Sequence, residues 1–260
     1  MKLNKAIIEL ERNCSYVQMK DINSRLNSII RFFGAETSIN NITTQKVREY
    51  IAHLKEKHNS PSTINAKLSM LNKLLTYYHR EGIITNKPYF DYQKVKKQKE
   101  AYLSPALKEK IIDYCLKNNQ KELYQIIIIG LNTGMRISNI LAFNPDTDID
   151  NGYIRVWENK TNRPYSIPIN NTLQSELHKF KKLNLSYNQA YHLFDKMKLD
   201  LDIDDSITIH SLRHTFCSDL LNKSVDLATI QKLANHSNIA TTMRYSHLKN
   251  ETLEKAINLL

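Results

Sequence analysis

Twice in this 260-residue chain a serine followed by a proline opens an apolar stripe of helical period, at Ser60-Pro61 and again at Ser104-Pro105. A serine hydroxyl accepts from the free amides of a helix's first turn. Proline just inside that turn loses nothing, because its missing N–H would have had no partner there. Between the two starts, residues 83–104 carry no stripe; they hold Pro88, Tyr89, Phe90 and the charged run Lys94-Val95-Lys96-Lys97-Gln98-Lys99. The pattern predicts a helical domain over residues 1–92, an interdomain linker over 93–104 and a second domain over 105–260. Each part is long enough for a core of its own.

The first part reads as four helices. Lys2–Arg12 puts Leu3, Ile7 and Leu10 on one face, and Ile22–Phe33 does the same with Ile22, Leu26, Ile29, Ile30 and Phe33 before Gly34. Thr43 or Thr44 caps a third, running to about Lys57 with Val47, Tyr50, Ile51 and Leu54 inward. The fourth carries Ile64, Leu68, Leu71, Leu75 and Tyr78 and stops at Gly82. Two readings of this basic module stay open at this level: a helical domain with solvated Lys and Arg, or one that grips a duplex through its phosphates.

Charge favours a polyanionic partner. Lys and Arg number 37 against 26 Asp and Glu, a net +11, and the excess is spread over both parts. With 41% hydrophobic residues and only 5 Gly and 6 Pro, the chain has the makings of packed cores and not of a low-complexity segment. Cys14, Cys115 and Cys217 are too far apart to suggest a disulfide framework and read as free thiols in a reducing compartment. The N-terminus lacks an apolar signal core, and the apolar run Ile126–Ile129 is far too short for a bilayer. The expected location is the cytoplasm, with no membrane partner.

In the second domain a helix runs from Pro105 to about Leu116, with Leu107, Ile111 and Tyr114 inward. Leu123–Leu131 suits a buried strand or a buried helix; the absence of turn chemistry before it favours helix. Gly134 then allows a sharp bend, and Arg136 opens the next helix. Tyr153–Trp157 and Arg163–Ile169 alternate as strands do, joined by Glu158-Asn159-Lys160-Thr161-Asn162, so they predict a β-hairpin with Lys160 at its tip. Helices are expected over Asn171–Lys182, Ser186–Lys198, Ser211–Asn222, Asp226–Ala234 and Ile239–Ser246, with an exposed acidic loop at Asp200–Asp205 and a short final helix at Glu251–Leu260. The fold class is mainly α with a small β-hairpin or sheet, in two domains.

Chemistry concentrates near the C-terminus. His210 and Arg213 are neighbours on one helix face. His236 and Tyr245 follow. Two imidazoles and a guanidinium around a phenol could bind a phosphodiester and attack it. The matching segments are Thr133-Gly134-Met135-Arg136-Ile137-Ser138, the hairpin Lys160 with Arg163 to Pro168, His210-Ser211-Leu212-Arg213-His214-Thr215, and Leu233-Ala234-Asn235-His236 through Tyr245-Ser246-His247. The intervals are 24 residues from Arg136 to Lys160, 23 from Arg213 to His236 and 9 from His236 to Tyr245. In these segments, their order and their spacing, residues 100–260 resemble the tyrosine recombinase (phage integrase) family. The first part resembles that family's helical, SAM-like core-binding domain more loosely.

The resemblance implies a site-specific recombinase that cuts and rejoins DNA through a covalent 3′-phosphotyrosine. It makes Tyr245 the nucleophile, Arg136 and Arg213 the clamp on the scissile phosphate, Lys160 and His210 the proton-transfer groups, and His236 a hydrogen-bond donor. It also implies double-stranded DNA with specific recombination sites as partner, a homo-tetramer on paired sites and an accessory DNA-bending protein. The residue types suit that chemistry. A phenol, with a reference pKa of about 10, attacks poorly until its proton is relayed and the transition-state charge is stabilised. Paired guanidiniums supply that stabilisation by forked hydrogen bonds. The histidines lack carboxylate or cysteine partners at ligand spacing, so neither metal nor cofactor is expected.

Two positions depart from the family's pattern: Asn139 stands where an acidic residue is common, and Asn235 where glycine is. His214 reads as structural; His247, just past Tyr245, is a further candidate for the phosphate. Integration or excision of a phage or mobile element is the expected role. Resolution of chromosome or plasmid multimers by a Xer-like enzyme is the alternative, and a DNA-binding regulator without catalysis is the alternative of another class. The chain is expected to lack the extra N-terminal arm-binding domain of lambda-type integrases, which fits either recombinase role.

Overall fold

The computed structural model describes residues 1–13, 19–95, 101–158, 163–236 and 238–243. The chain forms two compact units, Met1–Gln98 and Lys99–Leu260. Both are built mostly of helices, and the second holds one small sheet.

In the first unit, α1 (Leu3–Asn13), α2 (Met19–Phe33), α3 (Thr44–Glu56) and α4 (Pro61–Arg80) bury the stripes their spacing prescribes. The Ser60 hydroxyl accepts from the Thr63 amide at 3.2 Å, and Thr43 does the same for Lys46 at 3.3 Å. Tyr78, 1% exposed, sends its hydroxyl to the Ala6 carbonyl at 2.8 Å and so ties α4 to α1. α2 starts before Ile22, at Met19, an apolar residue three positions ahead that continues the same helical spacing.

The stretch without a helical stripe, residues 83–104, is anchored at both ends. Ile84 and Phe90 are buried in the first core. Asn65 holds Gln93 by two bonds, its amide donating to the Gln93 carbonyl at 2.8 Å and its oxygen accepting from the Gln93 amide at 2.7 Å. Arg48 pairs with Asp91 at 3.0 Å. The stretch after α4 is therefore a strap on the first unit, held without helical periodicity. At the other end Leu103 is buried in the second core, and its amide donates to the Thr215 hydroxyl at 2.9 Å.

The second unit is organised around α6 (Lys121–Thr133), apolar on nearly all sides with Leu123 and Ile126 to Ile129 buried. Against it pack α5 (Pro105–Lys117), α7 (Ile137–Ala142), α8 (Asn171–Glu176), α9 (Tyr187–Asp200) and α10 (Ser211–Asn222). A smaller cluster of Phe216, Cys217, Leu221, Ile230 and Ala234 joins α10 to α11 (Leu227–Leu233), and α12 (Ile239–Thr242) follows. The hairpin is present as β2 (Tyr153–Glu158) and β3 (Arg163–Pro168), antiparallel with Ile154 opposite Ile167.

The sheet has a third strand, β1 (Ile149–Asp150), which the hairpin reading missed. It turns into β2 through Asn151 and Gly152, both at positive φ, the geometry that two-residue hairpin loops demand. The helix expected over Asn171–Lys182 ends early, with a tight turn at Leu177–Lys179 and extended chain after it. The reason is a side chain from elsewhere. The buried Gln125 amide donates to the Lys181 carbonyl at 2.7 Å and accepts from its amide at 3.3 Å, replacing helical partners and letting Phe180 and Leu183 turn inward.

The hairpin tip with Lys160, residues 244–246 of the helix expected at Ile239–Ser246, the terminal helix Glu251–Leu260 and Cys14 lie outside the described residues. Cys115 and Cys217 are buried and outside any disulfide. Among the described residues, no helix is long and apolar enough to cross a membrane.

Candidate active site

Two turns, distant in sequence, close onto α10. The first follows α6, where Gly134 has φ 63° and ψ 16°. That left-handed geometry costs a residue with a side chain roughly 1–2 kcal/mol. Space forbids one as well, since a Cβ there would lie 2.4 Å from Cδ1 of Phe216 on α10. Thr133 braces the bend: its hydroxyl donates to the Ile129 carbonyl at 2.6 Å and accepts from the Met135 amide at 3.2 Å. Arg136 follows in extended geometry as the residue before α7.

The second turn ends α11. Asn235 takes φ 48°, the left-handed geometry a glycine would supply, and asparagine adopts it more readily than most residues. The His236 amide then donates to the Gln231 carbonyl at 3.0 Å, and the Gln231 side chain donates to the His236 carbonyl at 3.1 Å.

The arginines join the turns. Arg213, 3% exposed, donates through Nη1 to the Gly134 carbonyl at 2.6 Å and through Nη2 to the Ala234 carbonyl. Arg136 donates through Nη2 to the adjacent Asn235 carbonyl at 3.3 Å. A carbonyl orients a guanidinium without cancelling its charge, so these bonds fix position and leave the cation intact. Asn139, 4% exposed, donates to the Tyr165 hydroxyl at 3.3 Å, so a neutral amide stands where the family commonly has a carboxylate.

Both imidazoles are pushed toward the neutral form. His236, 8% exposed, has its pKa lowered to about 3, first by burial and then by Arg213, Arg136, His210 and His214. His210 lies at about 4, through desolvation of its crowded flank and then His214, Arg213 and Arg136. The residue as a whole is exposed, so solvent tempers the burial effect on His210 while the cations keep the direction downward. Its ring meets that of His214 edge to face, centroids 4.7 Å apart. His236 Nδ1 lies 2.9 Å from the hydroxyl of Thr242, which is fully buried.

Of the residues singled out by the sequence, Arg136, His210, Arg213 and His236 form one neighbourhood in the second unit. Lys160, Tyr245 and His247 lie outside the described residues. Sequence reasoning missed Thr242, Phe216 and the Ala234 and Asn235 carbonyls. A hydroxyl that faces a histidine only after a turn closes has no signature in spacing, and a carbonyl has none at all. Among the described residues, no group of three or more His, Cys, Asp or Glu could hold a metal ion.

A pocket with two fixed guanidiniums and two neutral imidazoles suits a singly charged phosphodiester: the arginines offset its charge, and the imidazoles can donate or accept a proton. With a small helical unit ahead of a mainly helical unit bearing this pocket, the chain has the build of a DNA strand-transfer enzyme. Residues 101–252 match the phage integrase family, and residues 5–82 match the phage integrase N-terminal SAM-like domain. The chain belongs to that family, the tyrosine recombinases, as its motifs led one to expect.

Among its relatives, the tyrosine recombinase XerC of Staphylococcus aureus is 28% identical over 278 residues, spanning 95% of this chain and 91% of the relative. The Tn1549 transposon integrase in complex with a circular intermediate DNA superposes with a TM-score of 0.82 at 22% identity, covering 100% of both chains. A lambda integrase tetramer bound to a Holliday junction gives 0.74 at 19% identity, over 91% of this chain and 76% of that one. At these identities the structural likenesses speak for the fold.

Proposed function

We propose that this protein recombines DNA at specific sites through a phosphotyrosine intermediate, with Tyr245 as nucleophile and Arg136, Arg213, His236, His210 and Lys160 as its assisting groups. The observation that carries the reading is the fixing of both arginines on the adjacent Ala234 and Asn235 carbonyls, which holds two guanidiniums near two imidazoles shifted toward the neutral form.

In the step proposed, the Tyr245 oxygen attacks the scissile phosphorus and gives its proton to neutral His210. A new P–O bond to tyrosine forms as the P–O5′ bond breaks, and the departing 5′-oxygen takes a proton from Lys160. Arg136 and Arg213 hold the non-bridging oxygens, where charge builds in the transition state, and His236 donates to the same group. Attack by another strand's 5′-hydroxyl reverses these transfers and frees the tyrosine, so bond energy is conserved without a nucleotide cofactor.

The substrate is double-stranded DNA carrying recombination sites, and coordinated exchange between two duplexes calls for four copies of the chain. A DNA-bending accessory protein and residence on the nucleoid fit this reading. The role we favour is integration or excision of a phage or mobile element; the Asn139 and Asn235 departures lean that way. Similarity to XerC along nearly the whole chain supports multimer resolution as the second reading.

A duplex nicked beside the cleavage point tests the chemistry. Wild-type protein gives a denaturation-resistant adduct without added metal, and Tyr245→Phe gives none. An adduct from the Phe variant overturns the nucleophile; no adduct from wild type on any candidate site returns the protein to the class of DNA-binding regulators. Recombination between directly repeated sites on a plasmid dimer, but not between unlike sites on two molecules, selects the Xer-like role.

A further inference from the structure

We infer that Thr242 is a positioning residue that fixes His236 as the tautomer protonated at Nε2, leaving that nitrogen as the pocket's hydrogen-bond donor. The inference rests on the recombinase reading above only for its consequence in the reaction; the tautomer itself follows from packing.

The Thr242 hydroxyl is fully buried, and its hydrogen-bond partner among the described residues is Nδ1 of His236, at 2.9 Å. A buried hydroxyl that withholds its proton from every acceptor leaves hydrogen-bonding capacity unused in a place where water cannot make it good. Other buried threonines of this unit deliver that proton to the carbonyl four residues back: Thr133 to Ile129 at 2.6 Å and Thr215 to Ser211 at 2.7 Å. Among the described residues Thr242 makes no such bond, so its proton goes to the ring and Nδ1 is the acceptor.

A neutral imidazole carries one N–H, and accepting at Nδ1 places it on Nε2. The charged form, with both nitrogens donating, is disfavoured by the groups facing the ring: Arg213, Arg136, His210 and His214. With the other tautomer, Nε2 would turn a lone pair toward a phosphate oxygen and repel it. The hydroxyl thus decides whether His236 helps or hinders, without touching the substrate.

Long-range ¹⁵N–¹³C spectra of histidine-labelled full-length protein, with His236 assigned through His236→Gln, read the tautomer directly and without DNA. Wild type and Thr242→Ser show Nε2–H. Thr242→Val, similar in shape but unable to donate, shows Nδ1–H or an exchanging mixture. On the nicked duplex, single-turnover cleavage falls about 10- to 100-fold in the Val variant with site binding unchanged, less than or equal to the loss of a whole phosphate donor, on the order of 10²–10³. The Ser variant recovers it.

Nδ1–H in wild type overturns the inference, as does a Val variant that keeps both the tautomer and the cleavage rate. Should the Val variant fail to fold, the wild-type spectrum alone decides. An Nε2–H ring in a protein that never cleaves DNA leaves the tautomer assignment standing and removes the recombinase reading instead.

Discussion

The N-terminal helical unit and the pocket of the second unit are held together by different parts of the chain. In the first, side chains meet side chains: Leu3, Ile7, Leu26, Leu68 and Leu71 lie at helical intervals and bury one another. Each such burial contributes about 1.5–3 kcal/mol, and many substitutes of similar size would serve. In the pocket, charged side chains meet the main chain: Arg213 holds the Gly134 and Ala234 carbonyls and Arg136 holds that of Asn235. Packing of the first kind tolerates variation. Anchoring of the second kind does not, because it depends on where a backbone oxygen points.

The sharpest way to break the comparison is Arg213→Gln. Its loss should lower cleavage of the nicked duplex by on the order of 10²–10³. It should also destabilise the second unit, since two buried carbonyls lose a charged donor at about 1–3 kcal/mol each. Single-turnover kinetics and urea unfolding measure the two effects. If cleavage and stability both survive, the carbonyl anchors are incidental.

Gly134→Ala should act on stability more than on chemistry. It combines the left-handed backbone cost with a Cβ driven into the Phe216 ring, for roughly 2–5 kcal/mol together. Adding Phe216→Leu should recover the steric share and leave the backbone share. A double variant no better than Gly134→Ala would show that space is not the issue.

The smallest effect belongs to the first unit. Ser60→Ala removes one cap of α4 for about 1 kcal/mol, seen as a lower urea midpoint, while adduct formation by the folded protein stays at the wild-type level. A large drop in cleavage would mean that the units are not separable in this way.

The same division explains how much was legible. Stripes such as Ile64, Leu68, Leu71, Leu75 and Tyr78 are written in side chains, so the helices were readable to within a few residues. Arg136, His210, Arg213 and His236 were readable through their spacing and resemblance. The early end of α8 was not, because a glutamine 56 residues away supplies the bonds that end it. The strap at 83–93 was not, because it is held by Asn65 and Arg48 and not by periodicity. β1 was within reach: Asn151-Gly152 is the residue pair a tight hairpin loop prefers, and it went unread beside the longer hairpin.

The arginine bonds also set a timetable. Arg213 reaches a carbonyl 79 residues upstream, and Arg136 one 99 residues downstream. Helices form locally, whereas closing such long loops has an entropic cost that only the surrounding packing can offset. The second turn is also synthesised later than the first, since Asn235 follows Arg136 by 99 residues. A nascent or truncated chain therefore has its helices before it has its paired cations, and the capacity to seize a phosphodiester arrives only when the whole second unit is in place.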